Sequence, residues 1–198
     1  MIRNYAILFL ILINAYCTSS ASAQKLTYKI LLNNKMIGTL LADRQVQKER
    51  VNYVLQSKMS VHKILTFNIE YKLESDFING KMIASTAYQK TNNKIHTNTI
   101  TKWDGAQYTV QLPDENLARI SKNINYNMCT IYYLEPIGLT QIYSDAFGKF
   151  LNIRSLGNHR YELTLPDGKT NYYNYAAGIC FQVESEQLFS KIIFRLTR

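Results

Sequence analysis

Apolar and polar residues alternate with a period of two along most of this chain, and that pattern constrains its fold more than any other feature. The clearest run places Leu65, Phe67, Ile69, Tyr71, Leu73 and Phe77 on one face, interrupted only by Ser75. Thr66, Asn68, Glu70, Lys72, Glu74 and Asp76 fall between them. A segment of this kind is a strand with one face on a core and the other in water. Leu26, Tyr28, Ile30 and Leu32 repeat the pattern, as do Val51, Tyr53, Leu55, Met59 and Val61. Further strands are expected over 81–91, 94–103, 106–112, 140–143, 149–154, 160–165, 170–175, 179–183 and 188–196.

Turn chemistry sets how these strands connect. Asn33-Asn34, Asn79-Gly80, Asp104-Gly105 and Gly157-Asn158 separate alternating runs, and Pro166-Asp167-Gly168-Lys169 is a turn sequence. Such pairs supply the positive φ angles of tight hairpins. Eleven or twelve strands in consecutive hairpins make a large antiparallel meander, and a sheet that wide curls. The expected fold is therefore mainly β: a strongly curved antiparallel sheet or incomplete barrel. From Asp114 to Glu135 the alternation fails, while Ile120, Ile124, Met128, Ile131 and Tyr132 fall at helical spacing. One short helix, starting at Asn123 or Asn125, ending at Pro136 and packed against the sheet, is the expectation there.

The N-terminus carries an address. Arg3 precedes the apolar run Ala6–Ile13, and Ala21-Ser22-Ala23 offers a small-x-small cleavage site ahead of Gln24. This is the layout of a secretory signal peptide over residues 1–23, and the apolar run is too short for the roughly 20 residues of a membrane span. Tyr16 ahead of Cys17 does not suit a lipid attachment site. The expected mature chain is one domain, residues 24–198, periplasmic or secreted, with no transmembrane span. It keeps 22 of the 23 basic residues and all 14 acidic ones, net +8. The charges are dispersed rather than run together, which argues for a solvated face and against nucleic acid. Such charge also suits an anionic membrane surface.

Chemistry-bearing motifs are sparse. His62, His96 and His159 have no ligand partners at metal-site spacing, and neither a nucleophile elbow nor a phosphate loop is present, so no catalytic, cofactor or metal residues are expected. Cys129 and Cys180 would meet an oxidising compartment, where a bridge between them is one option and two buried thiols the other. Such a bridge would be worth up to about 4 kcal/mol. Tyrosine is unusually frequent, with 15 in the chain. Tyr126, Tyr132, Tyr133, Tyr173 and Tyr175 are candidates to line a ligand cleft; the alternative is packing, with rings inside and hydroxyls wet.

The ordered series Leu134-Glu135-Pro136, Tyr143–Phe150, Tyr161–Lys169 and Asn171–Tyr175 with Gly178 resembles an exported bacterial family of domains of unknown function about 200 residues long. Tyr28-Lys29-Ile30 with Ile37-Gly38-Thr39 is similar to that family's opening hairpin. That family in turn resembles LolA/LolB-like periplasmic lipoprotein carriers, whose curved sheet wraps a helix and holds acyl chains. The resemblance implies a noncatalytic envelope protein that binds a lipid, acyl chain or other hydrophobic ligand on a concave face. A structural or protein-interaction module of the envelope is the alternative, and a hydrolase would need a His–carboxylate or carboxylate pair in a cleft.

Overall fold

The computed structural model describes residues 21–62, 66–114, 116–187 and 190–197. The signal peptide expected over residues 1–23 falls, up to residue 20, outside the described residues. Fourteen strands form one antiparallel sheet: β1 Ser22–Leu32, β2 Lys35–Gln47, β3 Arg50–His62, β4 Thr66–Ile78, β5 Lys81–Thr91, β6 Lys94–Trp103 and β7 Tyr108–Gln111. They continue as β8 Leu117–Ile120, β9 Gln141–Ser144, β10 Lys149–Gly157, β11 Arg160–Thr164, β12 Thr170–Ala176, β13 Ile179–Gln187 and β14 Ser190–Leu196. The spatial order is β8-β7-β6-β5-β4-β3-β2-β1-β14-β13-β12-β11-β10-β9, so two meanders join where β1 pairs with β14.

The turns follow from their residues. Asn79 and Gly80 both take positive φ, as do Asn33 and Asn34, giving two-residue hairpins with the right-handed twist of their strands. The Asp104 turn is looser: only Gly105 is left-handed, and Asp104 Oδ1 accepts from the backbone N–H groups of Ala106 and Gln107 at 2.8 Å. Gly38 answers a different demand. A Cβ there would lie 2.1 Å from the Lys58 carbonyl oxygen on β3, so only glycine lets β2 and β3 pair at that point.

The helix expected from Asn123 or Asn125 to Pro136 shrinks to a single 3-10 turn, Thr130–Tyr132, and the non-alternating stretch ahead of it holds strand β8. A sheet this wide encloses more space than inward side chains fill. The segment from 121 to 140 therefore crosses the interior in extended and turned conformation. Its backbone is tied on both sides. The Met82 amide on β5 donates to the Ile124 carbonyl at 2.8 Å, and the Tyr143 amide on β9 donates to the Tyr126 carbonyl at 3.1 Å. Helical spacing arose because Ile124 and Ile131 are buried in this irregular plug rather than on one helix face.

Nine of the buried core residues are tyrosines, and three of their hydroxyls donate to buried carbonyls. Tyr28 donates to the Cys180 carbonyl at 2.6 Å, Tyr108 to Met82 at 2.8 Å and Tyr175 to Ile131 at 2.7 Å. Each ring buries a large apolar area while its polar tip satisfies a backbone acceptor, so both transfer and hydrogen-bond terms favour the fold. Deprotonating these phenols would strand a charge in the interior, and burial accordingly raises their pKa values above the usual range.

Candidate functional site

In an antiparallel meander alternate turns lie at the same end, so the β1–β2, β3–β4, β5–β6, β11–β12 and β13–β14 connections share one end of the sheet. The crossing segment fills the opposite end. Toward the first end the inward rows run past the plug and leave a cavity of about 260 Å³. Leu40, Met59, Ile69, Val183 and Phe194 supply its apolar wall, and Met128 and Tyr132 of the crossing segment form its floor. Polar side chains alternate with these: Ser57, Tyr71, Gln89, Asn171, Tyr173 and Ser185 also line it. The Asn171 Oδ1 is buried and accepts no hydrogen bond among the described residues. Chemically this is a mainly apolar cup with polar groups interspersed along its wall.

Alternation explains why these side chains converge. Ser57 pairs with Tyr71 and Leu40, Met59 with Ile69, Tyr71 with Gln89, and Val183 with Phe194 and Tyr173. Cross-strand partners point to the same face, so one row from each strand builds the wall.

The expected aromatic cluster divides. Tyr132 and Tyr173 do line the cup. Tyr133 and Tyr175 are core struts, the first donating to the Gln24 carbonyl at 3.3 Å and the second to Ile131. Tyr126 is partly buried against the core with its hydroxyl beside that of Tyr175 and bonded to the Leu134 carbonyl, and it also borders a second groove with Lys122 and Phe150. Sequence reasoning named Met128 only within the expected helix and did not single out Gln89 or Asn171. Gln89 and Asn171 occupy inward slots of amphipathic strands, where a polar residue is the detectable signal; Met128 sits in the irregular plug and carries none.

Cys129 and Cys180 are separate buried thiols rather than a bridge. Cys129 Sγ points to the Leu73 carbonyl and Cys180 Sγ to that of Gln182. Burial holds both pKa values up, Cys180 to about 12, so neither suits nucleophilic work.

Two acidic groups are notable beneath and beside the cup. Asp145 is fully buried; its Oδ1 accepts from Asn127 Nδ2 at 2.9 Å and its Oδ2 from the Met128 amide at 3.3 Å. Desolvation pushes its carboxyl up to about 6, offset only in part by the Asn127 and Met128 donors. At the plugged end Glu135 accepts from Tyr161 at 2.8 Å and pairs with His159 Nδ1 at 3.0 Å. This His–carboxylate pair stands on an exposed turn, with the imidazole 69% exposed, and it pins the 134–137 loop to the β10–β11 hairpin. Among the described residues no cluster of three or more His, Cys, Asp or Glu could hold a metal. Nor is any helix there long and apolar enough to cross a membrane.

The chain matches the family model described as a domain of unknown function, DUF6134, over residues 28–197. It belongs to that family. The match begins at Tyr28 and ends beyond the last residue of β14, so the DUF6134 domain coincides with the sheet. Among solved structures, the chain is similar to a β-barrel-like protein of the domain of unknown function DUF1849 from Brucella abortus. The two share 12% identity with a TM-score of 0.51 over 88% of this chain and 95% of that one, a likeness of fold. No curated protein matches.

Proposed function

We propose that this DUF6134 protein is a noncatalytic carrier or sensor of a hydrophobic ligand, exported under the direction of residues 1–23, which takes an acyl chain or similar apolar group into the cup. The observation that carries this reading is the cavity of about 260 Å³ walled by Leu40, Met59, Ile69 and Phe194 at the unplugged end of the sheet. Its volume lies just under the roughly 300–1,000 Å³ of typical small-molecule sites. That size suits part of a lipid chain rather than a whole lipid. Asn171 Oδ1 offers one acceptor for a hydroxyl or amide on the ligand.

A scaffold role is the second reading, favoured by the tyrosine-packed remainder of the interior. The deciding experiment uses residues 24–198, titrated with a fluorescent fatty acid and extracted with organic solvent after purification. Saturable binding, abolished by Met59→Arg at the cup wall with an unchanged circular-dichroism spectrum, supports the carrier. Lipid-free extracts together with no probe binding favour the scaffold.

A further inference from the structure

The end of the sheet that opens into the cup is also where charge and exposed hydrocarbon are combined. Over the arc made by the β1–β2 and β5–β6 turns and the adjoining ends of β3 and β4 stand Lys29, Lys35, Lys58, Lys90 and Lys94. One carboxylate, Glu70, shares that arc, and it is tied to Lys90 at 3.2 Å. The other four lysines have no carboxylate partner among the described residues. Between them Met36, Ile95 and Phe67 are 55%, 54% and 39% exposed. Met36 and Lys35 adjoin the β1–β2 turn, as Lys94 and Ile95 adjoin the β5–β6 turn, so each hairpin tip carries an apolar side chain next to a cation.

We propose that this rim docks on an anionic lipid bilayer, with Met36, Ile95 and Phe67 entering the headgroup boundary and Lys29, Lys35, Lys58 and Lys94 meeting lipid phosphates. The two components match the two layers of such a surface. Lysine stems lie along hydrocarbon while their ammonium groups stay with the headgroups. Charge complementarity names the occupant: a neutral protein face would leave four cations uncompensated, and a nucleic-acid backbone offers charge with nothing for the apolar tips. The orientation brings the mouth of the cup to the membrane, so the inference deepens the carrier reading and supplies its route of loading. An alkyl chain would pass from bilayer to cup without crossing water.

Co-sedimentation of residues 24–198 with phosphatidylcholine vesicles, with and without phosphatidylglycerol, tests the docking. Binding is expected to require phosphatidylglycerol and to fall by about a hundredfold or more in the Lys35→Glu, Lys58→Glu, Lys94→Glu triple variant, at roughly fivefold or more per lysine. Raising salt from about 0.1 M to about 1 M should weaken wild-type binding similarly, because screening shortens from roughly 10 to 3 Å. Met36→Ser with Ile95→Ser should lower binding at low salt. Equal binding to pure phosphatidylcholine, no binding to either vesicle, or a triple variant that binds like wild type would overturn the proposal. Should charge reversal disturb the circular-dichroism spectrum, the corresponding Gln set and the wild-type salt series decide between docking and its absence. Fatty-acid binding without vesicles separates the two ideas. The triple variant should keep it, whereas a protein that docks through its lysines yet never takes up the probe retains the membrane face and loses the carrier reading.

Discussion

Asp145 Oδ1 accepts a 2.9 Å hydrogen bond from Asn127 Nδ2 inside the sheet, where neither residue meets solvent. Asn127 Oδ1 in turn accepts from the Cys129 and Thr130 amides at 3.1 Å, so one side-chain pair shapes the turn that carries the cup floor. With no cation beside it among the described residues, the carboxylate bears a desolvation cost.

That cost has a sign. The folded carboxyl titrates near 6 and an unfolded one near 3.8, so the native state holds the extra proton between those values. This contribution to stability is complete below about pH 4 and is lost as pH rises through 6, on the order of 3 kcal/mol. Asp145→Asn should remove the dependence. In urea unfolding the variant's stability relative to wild type should improve by that order between pH 4 and pH 7. Parallel pH profiles for the two proteins would contradict this assignment.

Tyr28→Phe and Tyr175→Phe each leave a buried carbonyl, of Cys180 and Ile131, without its donor. Each should cost about 1–3 kcal/mol in chemical denaturation. Tyr172→Phe, on a half-exposed residue, should stay within about 0.5 kcal/mol. Equal effects at all three positions would mean that the hydroxyls are not the struts described.

Gly38→Ala and Gly80→Ala separate two reasons for glycine. The first drives a methyl group against the β3 backbone and should cost about 3 kcal/mol. The second meets no atom within 4 Å but holds φ near +74°, so it should cost about 1–2 kcal/mol. Equilibrium unfolding midpoints distinguish them.

Cys129 and Cys180 should both titrate in the unreduced, denatured 24–198 protein, and both should be sheltered in the native one. At pH 8 a thiol with a pKa of about 12 is ionised to a fraction on the order of 10⁻⁴. A native-state thiol assay giving two fast equivalents, or a denatured assay giving none, would contradict the buried, unbridged pair.

The sheet was legible because period-two alternation and turn chemistry are local signals, and both survive in Leu65–Phe77 and at Asn79-Gly80. Two strands were harder to read. In β2 the adjacent Leu40 and Leu41 and the inward Arg44, packed over Tyr53, scramble the alternation. Strand β8 was hidden because its Ile120 coincided with the helical spacing of the plug. Of the cup, only Tyr132 and Tyr173 were marked in the sequence as candidates to line it. The cup depends on how far the crossing segment reaches, which is fixed by long-range ties such as Met82 to Ile124 and Asn127 to Asp145. The hydroxyls of Tyr28, Tyr108 and Tyr175 follow the same rule: residue type marks them as half-polar, but only the fold supplies a buried carbonyl for each.

Because β1 lies against β14, the first strand to be made must wait for the last before its free edge is covered. Until residue 196 emerges, synthesis yields a growing half-sheet with exposed backbone donors and acceptors along β1, a template for wrong pairing. Closure of this most non-local contact is slow by nature. The β1 edge, covered last, is therefore where a partly made chain stands most open to a foreign strand.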